Sequence, residues 1–408
     1  MSVLDVALIL RGMRIAQRMA PEKLDALVLE RLKRLVTLAS ETPHYRALRD
    51  ARISGLDGLH KLPILSKAEV RDAPGSFISP RFHREKLSEG FTSGSSGVQV
   101  PIYTSGAESA YGIAFEIHHA LENGAGVFDP QARITHFRSE PNVLQRLGLM
   151  RCTYIPIQKS EAGMLRDIRA SRAKVLCSYP SVLRPLALGN DGLKLKLILT
   201  GGELLHDEVR SMAEKSFSCP VRDRYGSMES SWVAWQCEKG SYHVQSDQAI
   251  VEVVDEAGAP LSEGKSGRII VTPLWRTAMP FIRYDLGDRG ALGRRCPCGR
   301  SLPVMKGIEG RDDDFIRLPS GKVRSARTIN LLDDIRGILS YQIVQERADL
   351  FVVRFVPSGE GLSGGMREEI RKRISSGCLG EKISVEFEEA SNLRGASGKI
   401  RTVISKVK

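Results

Sequence analysis

The spacing of apolar positions divides the chain into stretches of different character. Over residues 1 to about 55, leucines recur at helical intervals among charged side chains, which predicts helices. Over residues 105–310, short apolar runs alternate with amphipathic segments, a pattern typical of βαβ units around a largely parallel sheet. Within that stretch, residues 242–290 carry β-like runs separated by turn residues, which predict a small β subdomain.

The pattern changes again near residue 310. Residues 341–344, 350–356 and 383–387 have the composition of strands, and residues 366–374 that of a helix, so a small α+β domain is expected. The segment from Gly307 to Asp314, with three consecutive acids, has the composition of a linker.

The predicted fold class is therefore α/β. We expect a large N-terminal domain over residues 1–310, with mostly parallel sheets flanked by helices plus the small β subdomain. A small α+β domain is expected over residues 311–408. Parallel sheets bind ligands at the carboxyl ends of their strands. Gly202 and Glu203 directly follow the strand-like run 195–200, so they are expected at such an end.

Composition narrows the class of partner without naming it. The 408 residues carry a net charge of +12, which favours anionic ligands in general. Basic residues are dispersed and only 6% of residues are aromatic, which argues against a dedicated nucleic-acid groove. No apolar run approaches the ~20 residues of a membrane span, and the opening segment lacks the features of a signal peptide. Seven cysteines, an odd number, argue against a disulfide framework and favour the cytoplasm.

One stretch consists only of glycine and hydroxyl residues. Its members are Thr92, Ser93, Gly94, Ser95, Ser96 and Gly97. Glycine lets a backbone approach a ligand closely, and hydroxyl and N–H groups bond phosphate oxygens. The stretch lacks the Gly-Lys-Ser/Thr ending of a Walker loop and the GxGxxG fingerprint, and strand-like residues flank it. A hairpin loop that closes over a triphosphate fits this placement, and a flexible Ser/Gly linker is the other interpretation.

Two further clusters have the chemistry of a nucleotide site. In the first, Tyr225 beside Gly226 and Ser227 offers a ring to a flat base, and Glu229 offers a carboxylate to Mg²⁺. In the second, Asp288 follows a glycine turn and can accept both ribose hydroxyls. Taken singly, the same residues fit a turn with a surface glutamate and an ordinary β-turn aspartate.

Cysteine and histidine positions indicate a separate cluster. Cys237 and His243 lie six residues apart, and Cys296 and Cys298 form a knuckle-like turn with a glycine behind it. Three cysteines and one histidine are a common ligand set for structural Zn²⁺. The spacing is not that of a standard finger, so two interpretations stand: a closed zinc site, or reduced cysteines and a histidine without metal.

Together, these segments resemble the motifs of the adenylate-forming superfamily of acyl-CoA synthetases, in particular its phenylacetate–CoA ligase branch. The resemblance extends over nearly the whole chain, and its specificity comes from the family order of motifs that are weak or moderate alone. The matching segments are residues 92–101, 200–203, 225–229, 283–288, 310–314 and 397–401. Met228 stands where the family usually has threonine. Some members of this branch look to carry a comparable zinc site.

The resemblance implies roles for individual residues. Lys399 would be the catalytic lysine that bridges the carboxylate and the α-phosphate, and Glu229 would hold Mg²⁺. Asp288 would hold ribose, and Arg311 would contact ribose or phosphate. Asp313 would be the hinge about which a mobile C-terminal domain rotates.

Other positions are implied to surround the adenine and the acid. Gly202 and Glu203 would lie near adenine and the acyl pocket, and Tyr225 would lie against the base. His136, Phe137 and Trp232 fall where the family places acyl-pocket residues, with core packing as the alternative for the aromatic rings.

The implied activity is ATP-dependent activation of a carboxylic acid as an acyl-adenylate with release of pyrophosphate. The acyl group then passes to a thiol, by default that of coenzyme A, and an aromatic acid is favoured. A free-standing adenylating enzyme that serves an amine, or a carrier protein in trans, is the alternative within the class. Expected cofactors are ATP, Mg²⁺ and coenzyme A, with Zn²⁺ if the metal interpretation holds. Neither nucleic acid nor a membrane span is expected, and a homodimer is left open.

Two other classes of function would each explain part of the sequence. A zinc-bearing nucleic-acid-binding protein would explain the net charge and the cysteines but not the nucleotide motifs. An inactive ATP sensor with the ligase fold is opposed by the joint presence of Glu229, Asp288 and Lys399.

Overall fold

The computed structural model describes residues 3–91, 100–135, 141, 143–311, 315–325, 329, 332, 335, 337–359, 361–393, 400 and 402–407. The chain forms two compact units, which are described one at a time. The first unit comprises residues 1–128, 141–150 and 222–308, and the second comprises residues 129–140, 151–221 and 309–408.

The secondary structure of the described residues is mixed. The helices are α1 (Val3–Ala16), α2 (Pro21–Ala39), α3 (Lys67–Asp72), α4 (Ser109–Glu122), α5 (Val143–Arg146), α6 (Glu161–Ala170), α7 (Pro180–Gly189), α8 (Asp207–Phe217) and α9 (Gly364–Gly377). The strands are β1 (Ser88–Phe91), β2 (Pro101–Thr104), β3 (Gln131–Thr135), β4 (Cys152–Pro156), β5 (Val175–Ser178), β6 (Leu197–Gly201), β7 (Val221–Ser227), β8 (Ser231–Gln236), β9 (Tyr242–Val244), β10 (Ala249–Val254), β11 (Gly267–Pro273), β12 (Tyr284–Gly293), β13 (Val304–Arg311), β14 (Phe315–Arg317), β15 (Val323–Ser325), β16 (Ile338–Arg347), β17 (Leu350–Pro357), β18 (Ser384–Glu389) and β19 (Val403–Ser405).

Helices and an antiparallel sheet make up the first unit. The predicted helical N-terminus is confirmed as α1 and α2, and α1 buries Val6, Met13 and Ala16 beside α4. Ser66 followed three residues later by Glu69 is a sequence signature of a capping box, and this box opens α3, where the two side chains each bond the other residue's backbone N–H. The strand order in this unit is β10-β11-β12-β13-β9-β8-β7. The predicted β subdomain is therefore present, and it extends beyond residues 242–290 on both sides.

The linker predicted from Gly307 onward is wrong for its first residues. Residues 307–311 were expected in a linker, yet they belong to β13, which lies between β12 and β9. A Cβ added to Gly290 of β12 would lie 2.4 Å from the Gly307 carbonyl oxygen, so the two backbones approach closely there. The strand is held by pairing with segments distant in sequence, which the local glycine- and charge-rich composition does not reveal.

The second unit contains a parallel sheet and a C-terminal α/β layer. Strands β6, β5, β3 and β4 are neighbours in that order, and each neighbouring pair is parallel. Residues from α6, α7 and α8 pack on this sheet in one apolar cluster. The C-terminal sheet has the order β18-β17-β16-β19 and packs against α9. Strands β16, β17 and β18 and helix α9 match the elements predicted after residue 310, whereas β19 was not predicted.

A buried arginine ties the C-terminal sheet to α7 within the second unit. The Arg184 guanidinium donates hydrogen bonds to the carbonyl oxygens of Ile335 (2.8 Å), Leu339 (3.0 Å) and Ile338. Bonds from a charged donor to main-chain carbonyls are stronger than neutral ones, so Arg184 fixes where β16 begins.

The predicted α/β class is confirmed by these layers. The predicted division at residues 310 and 311 remains a prediction, and the last segment of the second unit begins at residue 309. Among the helices of the described residues, none combines the length and apolar character needed to cross a bilayer.

Candidate functional site

The glycine- and hydroxyl-rich stretch is flanked by a pair of strands, as predicted. Strands β1 and β2 are antiparallel, with Phe91 opposite Pro101 at the end of the pairing. Residues 92–99, which include every predicted phosphate-contacting residue from Thr92 to Gly97, lie outside the described residues. What the structure establishes is the stem of the hairpin.

Two tyrosine–carboxylate hydrogen bonds connect the predicted cluster at residues 225–229 with the one that contains Asp288. The Tyr225 hydroxyl at β7 donates to Asp288 Oδ2 of β12 over 2.7 Å. In the opposite sense, the Tyr284 hydroxyl of β12 donates to Glu229 Oε1 over 2.9 Å. Each cluster therefore supplies one tyrosine to the carboxylate of the other. Because both acceptors are carboxylates, these bonds belong to the stronger, charge-assisted class.

The local backbone explains how Glu229 reaches this position. A bulge interrupts the pairing of β7 and β8 between Tyr225 and Gly226. A Cβ on Gly226 would lie 2.1 Å from the Ser231 carbonyl oxygen, so only glycine fits there. In the turn that follows, the Ser227 and Ser230 hydroxyls accept each other's backbone N–H at 3.1 and 3.2 Å. Glu229 lies inside this tight turn and is only 7% exposed.

A second set of contacts fixes the start of β12. Arg283 has a positive φ of 50°, and its buried guanidinium pairs with Glu252 and donates to the Leu62 carbonyl over 2.7 Å. Further along, Gly287, with φ of 69°, donates its N–H to Asp285 Oδ1 over 2.9 Å. These bonds set the turn that carries Asp288, as the sequence indicated, but the roles of Arg283 and Glu252 were not predicted.

Trp232 belongs to a partly buried ionic cluster. The Arg224 guanidinium lies 4.0 Å from the Trp232 ring centroid, which is cation–π distance, and Arg224 pairs with Glu116 at 3.3 Å. The indole N–H also donates to Glu116 over 3.3 Å. Trp235, by contrast, is fully buried in the core. The other predicted acyl-pocket residues, His136 and Phe137, lie outside the described residues.

Gly202 and Glu203 lie in the second unit at the predicted strand end. Strand β6 ends at Gly201, and Gly202 follows with φ of 82°, a conformation that favours glycine. Glu203 Oε2 accepts the Ser181 backbone N–H over 2.9 Å, at the first turn of α7. A carboxylate there also complements the positive end of the helix dipole.

The predicted C-terminal residues are only partly visible. Asp313 and Lys399 lie outside the described residues. Arg311 is the last residue of β13, and its side chain is not described.

The cysteine and histidine residues do converge. The ligand atoms of Cys237, His243, Cys296 and Cys298 all lie within 4.8 Å of one another in the first unit. The Cys237 and Cys296 sulfurs are 3.7 Å apart, and the Cys298 sulfur is 3.2 Å from His243 Nε2. A tetrahedral zinc with Zn–S bonds of about 2.3 Å holds two sulfurs roughly 3.8 Å apart, so the donor set fits the ion.

The surroundings of this cluster also suit a metal. Burial lowers the pKa of His243 to about 4, so the imidazole is neutral, which is the form that binds a metal. Burial raises the pKa of the Cys237 thiol to about 11 without an ion. Arg300, which the sequence did not single out, pairs with Glu122 and Glu238 and lies 5.1 Å from the centroid of the Trp235 ring. That ring packs against His243.

Comparison with known proteins shows which enzymes the chain is similar to. No family model matches it. A phenylacetate–coenzyme A ligase of Thermus thermophilus is 29% identical in an alignment of 364 positions that covers 80% of this chain and 79% of that protein. A solved structure of 2-hydroxyisobutyryl-CoA ligase with 2-HIB-AMP has the same fold, with a TM-score of 0.81 over 96% of this chain and 92% of that one, at 20% identity. Over most of its length, the chain is thus similar in sequence to phenylacetate–CoA ligases.

This similarity confirms the resemblance drawn from the ordered motifs. It also confirms the predicted enzyme class, the AMP-forming acid–thiol ligases. Another relative is the protein CapK of Staphylococcus aureus, 22% identical over 373 residues, or 86% of this chain and 81% of that protein. The range of names among its relatives leaves the acid and the acceptor to be argued from the site.

Proposed function

We propose that this chain activates a carboxylic acid with ATP, forming an acyl-adenylate and pyrophosphate, and then transfers the acyl group to the thiol of coenzyme A. The observation that carries the proposal is the pair of reciprocal tyrosine–carboxylate bonds between the clusters at residues 225–229 and 284–288. They connect the two predicted nucleotide-binding clusters in a chain that is similar to phenylacetate–CoA ligases.

The proposed roles in nucleotide binding follow from the chemistry of these groups. Asp288 accepts the ribose hydroxyls, and Tyr225, whose hydroxyl is fixed by Asp288, lies against the base. Glu229, whose carboxylate is held by Tyr284, takes the Mg²⁺ that accompanies ATP. Bound there, Mg²⁺ would supply positive charge to offset that of the phosphates.

The remaining proposed roles rest on the family motifs. The residues from Thr92 to Gly97 hold the β- and γ-phosphates, and Arg311 contacts ribose or phosphate. Lys399 bridges the acid's carboxylate and the α-phosphate, because two anions must meet in this step and a cation offsets their charge. Domain 311–408, which carries Lys399, rotates about Asp313 between the two half-reactions.

We further propose an aromatic acid as the substrate. Support comes from the names of several relatives, phenylacetate–coenzyme A ligases, and from the half-buried Trp232 beside Arg224. His136 and Phe137 would complete the pocket wall with Trp232, and Gly202 with Glu203 would lie near adenine. Transfer to an amine or to a carrier protein in trans is the alternative second step.

The proposal is tested by acid-dependent exchange of labelled pyrophosphate into ATP, with aryl, arylacetic and fatty acids. We expect exchange that needs Mg²⁺ and is fastest with an aromatic acid, followed by a thioester when coenzyme A is added. Exchange without thioester formation would favour the amine or carrier alternative. Absence of exchange across the whole panel would instead support a protein that binds ATP without catalysis.

The role of Lys399 is tested by separating the two half-reactions. Lys399→Ala should slow adenylation by about 100-fold or more, because a charge-stabilising group in the transition state is lost. Thioester formation from supplied acyl-adenylate should remain largely intact. Lys406→Ala is the matched control, since Lys406 is exposed and pairs with Glu346 at 2.7 Å. Equal loss in both half-reactions would contradict the proposed rotation.

We also propose that Cys237, His243, Cys296 and Cys298 hold a structural Zn²⁺. Protein purified without chelators should contain about one zinc per chain, and Cys298→Ser should lose the metal and unfold at a lower temperature. Cys152→Ser, which changes a cysteine outside the cluster, should keep both metal content and melting temperature. A chelator-free preparation without stoichiometric metal would end this proposal.

A further inference from the structure

A buried arginine outside every family motif contacts two parts of the proposed ATP site. Arg276 follows β11 and is only 2% exposed. Its Nη1 donates to the Tyr103 carbonyl over 3.1 Å, and its Nη2 donates to the Met228 carbonyl over 3.3 Å. The planar fork of the guanidinium allows one side chain to hold two main-chain segments at once.

These two carbonyls belong to segments that must cooperate if the site binds MgATP. Tyr103 lies in β2, the strand that leaves the predicted phosphate loop. Met228 immediately precedes Glu229, the predicted Mg²⁺ ligand. Arg276 therefore connects the hairpin stem to the turn that carries the carboxylate.

A second contact joins the same two segments. The Met228 side chain lies over Gly90 of β1, where an added Cβ would be 3.0 Å from the Met228 Cε. Methionine replaces the family's usual threonine at this position, and the glycine leaves room for it. The hairpin stem and the Glu229 turn are thus fixed by one polar and one apolar contact.

The charge of Arg276 is retained despite its burial. Burial lowers its pKa to about 10, while the carboxylates of Glu108 and Glu229 act in the opposite direction. The side chain is therefore a cation at neutral pH. Glu108 is itself fixed, since it accepts the backbone N–H groups of Thr277 (2.5 Å) and Ala278 (2.8 Å). A buried cation is costly unless its partners are well placed, and here those partners include Glu229 and the carbonyl that precedes it.

We propose that Arg276 is a positioning residue for MgATP: it holds the Tyr103 and Met228 carbonyls, and so fixes the hairpin stem relative to the turn that carries Glu229. This inference rests on the proposed function. It assigns Arg276 no contact with the acid, and it predicts a selective effect on the nucleotide.

Arg276→Lys is the direct test, because lysine keeps the charge but cannot bond both carbonyls with a planar fork. The KM for MgATP in pyrophosphate exchange should rise about tenfold, the size expected for one charge-assisted hydrogen bond. The KM for the acid at saturating MgATP should stay within about twofold. Calorimetric binding of MgATP should weaken by the same factor, which gives a readout independent of turnover.

Two further variants keep the test decisive. Met228→Ala removes the apolar contact at a half-exposed side chain and should raise the same KM, by a smaller factor, even if Arg276→Lys folds poorly. Arg300→Lys is the matched control, since Arg300 is similarly buried in the first unit but pairs with Glu122 and Glu238. It should lower the melting temperature without changing the affinity for MgATP.

The outcomes separate this inference from the proposed function. Wild-type exchange with an unchanged KM for MgATP in both Arg276→Lys and Met228→Ala would overturn the inference alone. A parallel rise in the KM values for MgATP and acid would mean a general structural role, which also contradicts it. A wild-type chain that binds MgATP but exchanges with no acid would overturn the proposed function, and calorimetry would still decide the role of Arg276. A wild-type chain that does not bind MgATP would overturn both.

Discussion

The proposed nucleotide site of this chain depends on two hydrogen bonds that run in opposite directions between the same two motifs. Tyr225 holds Asp288, and Tyr284 holds Glu229. Glu229 is only 7% exposed and Asp288 is half-buried, so both carboxylates lose hydration, and each gains a donor from one tyrosine. Because each motif contains one donor and one acceptor, neither carboxylate keeps its bond if the two motifs move apart.

This pair of hydrogen bonds requires a constrained backbone in both motifs. Gly226 tolerates a neighbouring carbonyl where a Cβ could not fit, and Arg283 adopts a positive φ that its buried ion pair stabilises. Such positions carry conformational strain that surrounding contacts must offset. Buried arginines recur for the same purpose: Arg276 and Arg184 each bond main-chain carbonyls of segments far away in sequence. Charge-assisted bonds to the backbone thus set loops that no hydrophobic pattern would position.

The sequence was most informative where structure is local. Helical spacing of leucines and the Ser66–Glu69 capping box gave correct elements, because the interactions involved lie within one or two turns. The convergence of Cys237, His243, Cys296 and Cys298 was also predicted, because cysteine and histidine are scarce and chemically distinctive. In the site, the ordered motifs identified Tyr225, Glu229 and Asp288 individually.

What the sequence could not provide was the pairing between distant segments. Residues 307–311 have the composition of a linker but pair as a central strand. Nothing in the motifs indicates which tyrosine bonds which carboxylate, since that depends on two strands that are not neighbours in the sheet. Arg276 was missed for a related reason: arginine is usually exposed, and only the fold reveals this one as buried.

The central claim, that the two tyrosine–carboxylate bonds act as one unit, is tested most directly by a double-mutant cycle on MgATP affinity. Calorimetry would measure the dissociation constant for the wild type, Tyr225→Phe, Tyr284→Phe and the double variant. Each single change should weaken binding by about tenfold, and the double variant should bind only slightly more weakly than either, a coupling of roughly 1 kcal/mol or more. Strictly additive losses, or single variants with unchanged affinity, would contradict the account.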